Sequence, residues 1–279
     1  MWLVQAAQLR SGLSTSLPAA GDDLTSFFGT SAQLWATGLI FIRLAGMIML
    51  IPGLGDASVP PRLRLSFCLL LAMMITPIVG PVLPPMPDKL GPLTGIILHE
   101  TIIGLMIGTL MRVLIFTLQT AGEIMSIQTS LSYAQTANPT EAQSSTSIAS
   151  FLSVLGMVMI WVTNTHHLFI RAMIDSYQIF SPVRTVMIGD ALTLMVRTVS
   201  ESLVLALQLS APIIVFALVL NIATGFVGRM MPNFQVYFAV APLSVLIGLS
   251  LLALSLGTLG MVFIDHYQEL LAVFIARPR

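Results

Sequence analysis

The chain has 279 residues, of which 56% are apolar and only 9% charged, and its formal net charge is zero. Soluble domains carry about 25% charged residues. The composition, with a mean hydropathy of +0.93, therefore excludes the ordinary soluble class and places the chain among membrane proteins. The balanced charge argues against nucleic acid as a partner.

Residues 1–23 lack a basic start, an apolar core and a small-residue cleavage site, so no cleaved signal peptide is expected. Residues 31–51 read as the first long apolar helix, with Arg43 inside it. Residues 52–64 are rich in Pro and Gly and end in Arg62 and Arg64, which close the turn and are expected to reach water. The second apolar run, 65–83, contains Cys68, read as a small packing residue. Pro77 and Pro81 are expected to break the run's far end. A proline-dense turn, 84–92, leads to a third run, 93–118, interrupted by His99, Glu100 and Arg112; residues 119–127 are helix-compatible but less apolar.

Residues 128–147 are the least membrane-like stretch, made mostly of Ser, Thr, Gln, Asn and Ala with Tyr133, Pro139 and Glu141. Asn138 precedes Pro139 and is biased toward an extended or turn conformation. Such an insert is either a solvent loop or a segment lining a wet interior, because its backbone could not stand in hydrocarbon. Residues 148–170 form the fourth apolar helix, ending near Asn164, His166 and His167, and 171–190 is a connector containing Pro182. Residues 191–223 read as one long helix or two, with Pro212 as a kink. Residues 224–235 read as a turn with Gly225, Gly228 and Pro232, and 236–264 as the last apolar run. About 20 apolar residues span a bilayer, which gives roughly six candidates. If all six span, the Lys/Arg bias puts both ends of the chain in the cytoplasm.

Arg43, Glu100, Arg112, Arg197 and Glu201 lie in or beside apolar helices. Each would cost a few kcal/mol facing lipid, so they are expected to face protein or water, as inter-helix or inter-subunit ties or as a proton relay. Arg197 and Glu201 can pair on one helix face. Glu100 and Arg112 lie about 18 Å apart along a helix and need other partners. His166 and His167 are adjacent and point to different sides, a poor metal geometry, and no cofactor is expected. Gly104 and Gly108 make a small-xxx-small step that lets another helix approach, and Gly248, Gly257 and Gly260 could do the same. The methionines are packing filler or a compliant lining. There is no Walker A loop, dinucleotide fingerprint, zincin motif or Cys-x-x-Cys. With no catalytic motif and no repeat symmetry, an intramembrane enzyme or a secondary transporter is disfavoured.

Four stretches taken together resemble the FliR-type subunit of the bacterial flagellar type III protein export gate. The first is Ile42-Arg43-Leu44, Pro52, Val59-Pro60, Arg62 and Arg64. The second is Ala121-Gly122-Glu123 with Gln128, Leu131, Ser132, Tyr133, Ala134, Asn138 and Pro139. The third is Asn164 with His166. The fourth is Asn221, Gly225, Arg229, Pro232, Val236, Pro242 and Gly248. The resemblance covers residues 34–263. Asn138, Gln235 and Thr165 depart from the family's usual Asp, Asn and Gly.

The resemblance implies an all-α polytopic membrane protein of long kinked helices and helical hairpins, without catalytic activity, forming a single domain over 1–279. Residues 1–189 would look like one smaller membrane subunit of the gate, and the hairpin 190–279 like another. About five copies of the first and about four of the second would join one copy of this chain in a tapered helical assembly. The assembly would belong to the inner membrane at the flagellar basal body but lie largely raised above the membrane plane, so that apolar runs counted as spans would be buried against sister subunits rather than lipid. It would meet the switch-type export membrane protein and pass unfolded flagellar proteins. The family's channel plug matches 129–146, with Gln128, Leu131, Ser132, Tyr133, Ala134, Asn138 and Pro139 as its residues and Leu131 and Tyr133 as anchors. Arg43, Glu100, Arg112, Glu123 and Arg229 would be assembly or buried charges. A homologous subunit of a virulence injectisome is the alternative.

Overall fold

A computed structural model describes residues 31–51, 53–55, 59–132, 146–180, 182, 188–231 and 236–274. These residues are all-α. In chain order they form α1 (Ser31–Leu50), α2 (Pro61–Val79), a 3-10 turn (Gly80–Val82), α3 (Leu90–Gln128), α4 (Ser147–Val162), α5 (Thr165–Ile179), α6 (Ile188–Met230) and α7 (Val236–Val273). Helix α3 is the axis of the bundle. Helices α1, α4 and α6 pack along it, α2 packs on α1, and α7 packs on α6 with contacts to α4 and α5.

Five of these helices are long and apolar enough to cross a membrane, and the bent pair α4–α5 would make a sixth. Helix α3, at 39 residues, is about 58 Å long. That exceeds the ~30 Å hydrocarbon layer, so an upright α3 extends beyond it.

Several boundaries differ from the sequence reading. Helix α2 starts earlier, at Pro61, which follows extended Pro60 and occupies the first turn, where a missing N–H costs nothing. Pro77 does not break α2 but lies inside it. Only the bond to the Met73 carbonyl is lost, and the next turn is closed by the Gly80 N–H donating to the Thr76 carbonyl. The third run and its less apolar continuation are one uninterrupted helix.

The expected helix over 148–170 is broken at Asn164, which adopts φ 57° and ψ 18°. Here α4 and α5 meet at 77°. Asn enters this left-handed region at lower cost than most residues. The segment 171–179, expected as connector, continues α5. Pro212 leaves α6 as a single helix of 43 residues. Of the expected turn over 224–235, residues 224–230 are helical instead, with Thr224 Oγ1 donating to Leu220 O and Met231 N–H to Val227 O, and 232–235 lie outside the described residues. Gly225 and Gly228 weaken a helix locally, but among apolar neighbours in a membrane no water would take up freed backbone groups, so the helix persists.

Candidate functional site

Two constellations carry the polar chemistry of the bundle. The first is built on Arg43, which is fully buried on α1. Its Nε donates to Glu100 Oε2 at 2.6 Å and its Nη2 to Oε1 at 2.8 Å. Nη1 donates to Ser176 Oγ at 3.2 Å, and Nη2 also reaches the Phe180 carbonyl at 3.0 Å. The guanidinium carbon lies 3.8 Å from the centroid of the Tyr177 ring. His99 Nδ1 is 3.6 Å from Glu100 Oε1. Four donor contacts and a ring face thus surround a cation that carries five N–H groups. The fork-shaped carboxylate pairing is the geometry arginine favours and lysine cannot reproduce.

The pairing depends on glycines. A side chain at Gly104 would collide with the Arg43 carbonyl, and one at Gly46 would lie 3.1 Å from the Gly104 carbonyl carbon. Gly108 faces the Met47 carbonyl in the same way. Because Glu100, Gly104 and Gly108 recur at four-residue steps, the groove that admits α1 leads directly to the carboxylate. The small-xxx-small step is therefore the seat of α1. Helix α5 closes the third side with Ser176 and Tyr177, and the break at Asn164 is what turns α5 toward Arg43.

The second constellation anchors the two ends of the polar stretch. Helix α3 ends at Gln128, Ser130 has φ 60°, and buried Thr129 turns its hydroxyl back to Met125 O at 2.9 Å. Ser244 of α7 donates to the Thr129 carbonyl at 3.1 Å. A side chain at Gly248 would overlap the Thr129 methyl, so Gly248 admits this contact, whereas Gly257 faces open space. Leu131 packs against the core and shares an apolar groove with Ile148, Phe151, Leu252 and Leu256. At the other end, Thr146 caps α4 by accepting from the Ala149 N–H at 3.3 Å. Gly122 abuts the backbone of Ala149, which brings the end of α3 and the start of α4 together. Tyr133, Ala134, Asn138 and Pro139 lie outside the described residues.

Not every charge named from sequence is enclosed. Arg112 and Arg229 are exposed and Glu123 is half-buried. Arg197 and Glu201 pair at 2.7 Å on the outer face of α6. Arg62 is exposed, but Arg64 is half-buried and donates to the Val59 carbonyl at 2.7 and 2.9 Å and to the Gly55 carbonyl at 3.0 Å, so it staples the turn rather than reaching into water. His166 and His167 stack with centroids 4.2 Å apart, and Trp161 stacks on His166 at 4.6 Å. No group of three metal-ligating side chains is found among the described residues. Sequence reading missed Ser176, Tyr177 and Phe180 as partners of Arg43; they fell in a segment taken for a connector.

This arrangement defines a polytopic all-α membrane protein whose one long polar stretch departs from and returns to a tightly tied helix junction. The family model described as "Bacterial export proteins, family 1" matches residues 34–270, and the chain belongs to that family. It is similar to the flagellar biosynthetic protein FliR of Caulobacter vibrioides, 51% identical over 88% of this chain and 98% of the relative. It is also similar to FliR of Escherichia coli, 28% identical over 81% and 85%, respectively. With FliR of Bacillus subtilis the identity is 24%, over 80% and 87%. The chain is a FliR-family subunit of the flagellar export apparatus, and the injectisome alternative is not favoured.

Proposed function

We propose that the chain is a non-catalytic structural and gating subunit of the flagellar export channel in the bacterial inner membrane, and that residues 129–146 form its plug. It assembles with two smaller export-gate membrane subunits and the switch-type export membrane protein. In the closed state the plug blocks the path taken by unfolded flagellar proteins. Residues 1–189 resemble one of the two smaller subunits and the hairpin 190–279 the other.

The observation that carries this reading is the shared base of the polar stretch. Its two ends are held together through Gly122 and Ala149, and one end is tied to α7 through Ser244 and Thr129. A polar segment hung from such a base can move without unpacking the helices that carry it. Ser and Thr hydroxyls pair with each other, with backbone or with water, so the segment needs no rigid apolar core to be tolerated in a channel.

The test is to delete residues 135–145 in the assembled complex and to follow ion and small-solute leakage across the membrane. A plug gives a clear leak while the complex still assembles. An intact barrier with near-normal secretion means an ordinary surface loop and removes the gating role.

A further inference from the structure

The junction between α3 and α7 is held by a contact with two resting positions. Ser244 Oγ lies 3.1 Å from the Thr129 carbonyl and 2.8 Å from the Ala241 carbonyl of its own helix. A serine hydroxyl carries one proton, so it donates fully to only one of the two at a time. Rotation toward Ala241 leaves Ser244 satisfied within α7 and frees Thr129. Gly248, one turn further along α7, admits the Thr129 methyl where a side chain would overlap it. Ser244 and Gly248 thus form one face that grips buried Thr129 by its carbonyl and by its methyl group. Because α7 packs mainly on α6, α5 and α4, its grip on α3 is confined to a small contact.

Two costs are built into the same junction. Ser130, next in the chain, adopts φ 60°, a left-handed conformation that is unfavourable for a residue with a side chain. Ser126, one turn back on α3, is fully buried, and its hydroxyl has no hydrogen-bond partner among the described residues. Strained backbone and unpaired buried groups persist only where the surroundings hold them in place. The Thr129 hydroxyl and N–H both turn back to Met125 O within α3, at 2.9 and 3.0 Å, so neither ties it to α7.

We infer that Ser244 and Gly248 are the latch of the polar stretch. They hold the Thr129–Ser130 turn in its strained, closed form, and rotation of the Ser244 hydroxyl to Ala241 releases it. The inference rests on the reading of 129–146 as a plug and names the residues that set how readily it opens. Release costs one neutral hydrogen bond, a factor of about three to ten in the ratio of open to closed forms, while relaxation at Ser130 works in the opposite direction. A tie of that size lets an arriving polypeptide open the path without unpacking a helix.

The test uses the full chain in the assembled export complex in native membranes, and reads small-solute leakage alongside recovery of the complex by tagged purification. Ser244→Ala is expected to raise the leak about three- to tenfold in complexes recovered at parental yield, and Gly248→Ala at least as much. Thr129→Ser keeps the hydroxyl and removes the methyl, so added to Gly248→Ala it should bring the leak most of the way back. Ser130→Gly relieves the strained turn and should lower the leak of Ser244→Ala. Ser250→Ala, which removes an exposed hydroxyl bonded to Leu246 O at 2.8 Å, should leave leak and recovery unchanged. A parental leak in assembled Ser244→Ala complexes would overturn the inference, as would a Gly248→Ala leak that Thr129→Ser does not reduce, or a rise on adding Ser130→Gly. If Gly248→Ala does not assemble, Ser244→Ala, which adds no atom, decides alone; loss of assembly in that variant would make the contact structural and overturn the latch. Deletion of residues 135–145 separates the two levels. A leak in the deletion but none in the latch variants leaves the plug standing and removes the latch, whereas no leak in either removes both.

Discussion

Arg43 has more of its environment specified than any other side chain in the bundle, and its replacement should be correspondingly costly. Removing one member of a buried ion pair leaves the other charge uncompensated, at about 3–5 kcal/mol. Arg43→Ala is therefore expected to lower the thermal midpoint of the detergent-purified complex and to reduce its recovery. Arg43→Met combined with Glu100→Met should restore most of the loss, because two apolar groups of similar volume need no partners. A single substitution that melts like the parent would mean that the pair carries no stability. The same junction makes Gly104 unforgiving. Gly104→Ala drives a methyl into the Arg43 carbonyl and should disrupt assembly, whereas Gly95→Ala meets open space and should be silent. Comparison of complex yield between the two variants checks this.

Breaks in the helices follow backbone conformation rather than composition. Pro77, Pro212 and Pro242 all sit inside helices, while the sharp bend falls at Asn164, with no proline nearby. Placing a β-branched residue at φ 57° costs about 1–2 kcal/mol. Asn164→Val should lower the melting midpoint accordingly and Asn164→Gly should be tolerated. Equal midpoints for the two variants would show that the left-handed conformation is not required. In α6, Gly225 and Gly228 face open space within this chain. There Gly→Ala should stabilise the isolated chain by up to about 1 kcal/mol, read from the loss of helical circular dichroism on heating. Destabilisation would mean that the helix is not continuous at that point.

The whole molecule has an apolar core like a soluble bundle but, unlike one, also exposes many large apolar side chains. Over an 18-residue apolar stretch of each, helices α2, α6 and α7 enclose only 28%, 33% and 22% of their residues within the chain, against 61% for α3. Side chains such as Met74, Leu218 and Leu254 point away from the chain at 73%, 59% and 82% exposure. So many large apolar side chains left exposed mark lipid or partner contacts. The chain produced without the other export membrane proteins is therefore expected to be degraded faster in the cell than the co-expressed chain, as a pulse-chase would measure. Equal lifetimes would indicate that lipid alone satisfies these faces.

Much of this could be read along one dimension. The apolar runs located the helices because only an internally bonded helix carries twenty apolar residues through hydrocarbon. The polar stretch stood out for the converse reason, and Arg197 with Glu201 paired as their four-residue spacing required. Local rules fell short where their consequences depended on surroundings. Proline and glycine promised breaks at 77 and 225 that did not form, because opening a helix in an apolar setting strands its backbone groups. Arg43 and Glu100 are separated by 57 residues, and no spacing rule joins them. Their pairing arises from the rotation and depth at which α1 settles onto Gly104 and Gly108, with the bend at Asn164 bringing Ser176 and Tyr177 to the same point. Which face of one helix meets which face of another is a property of packed surfaces, and it is absent from the order of residues along any single helix.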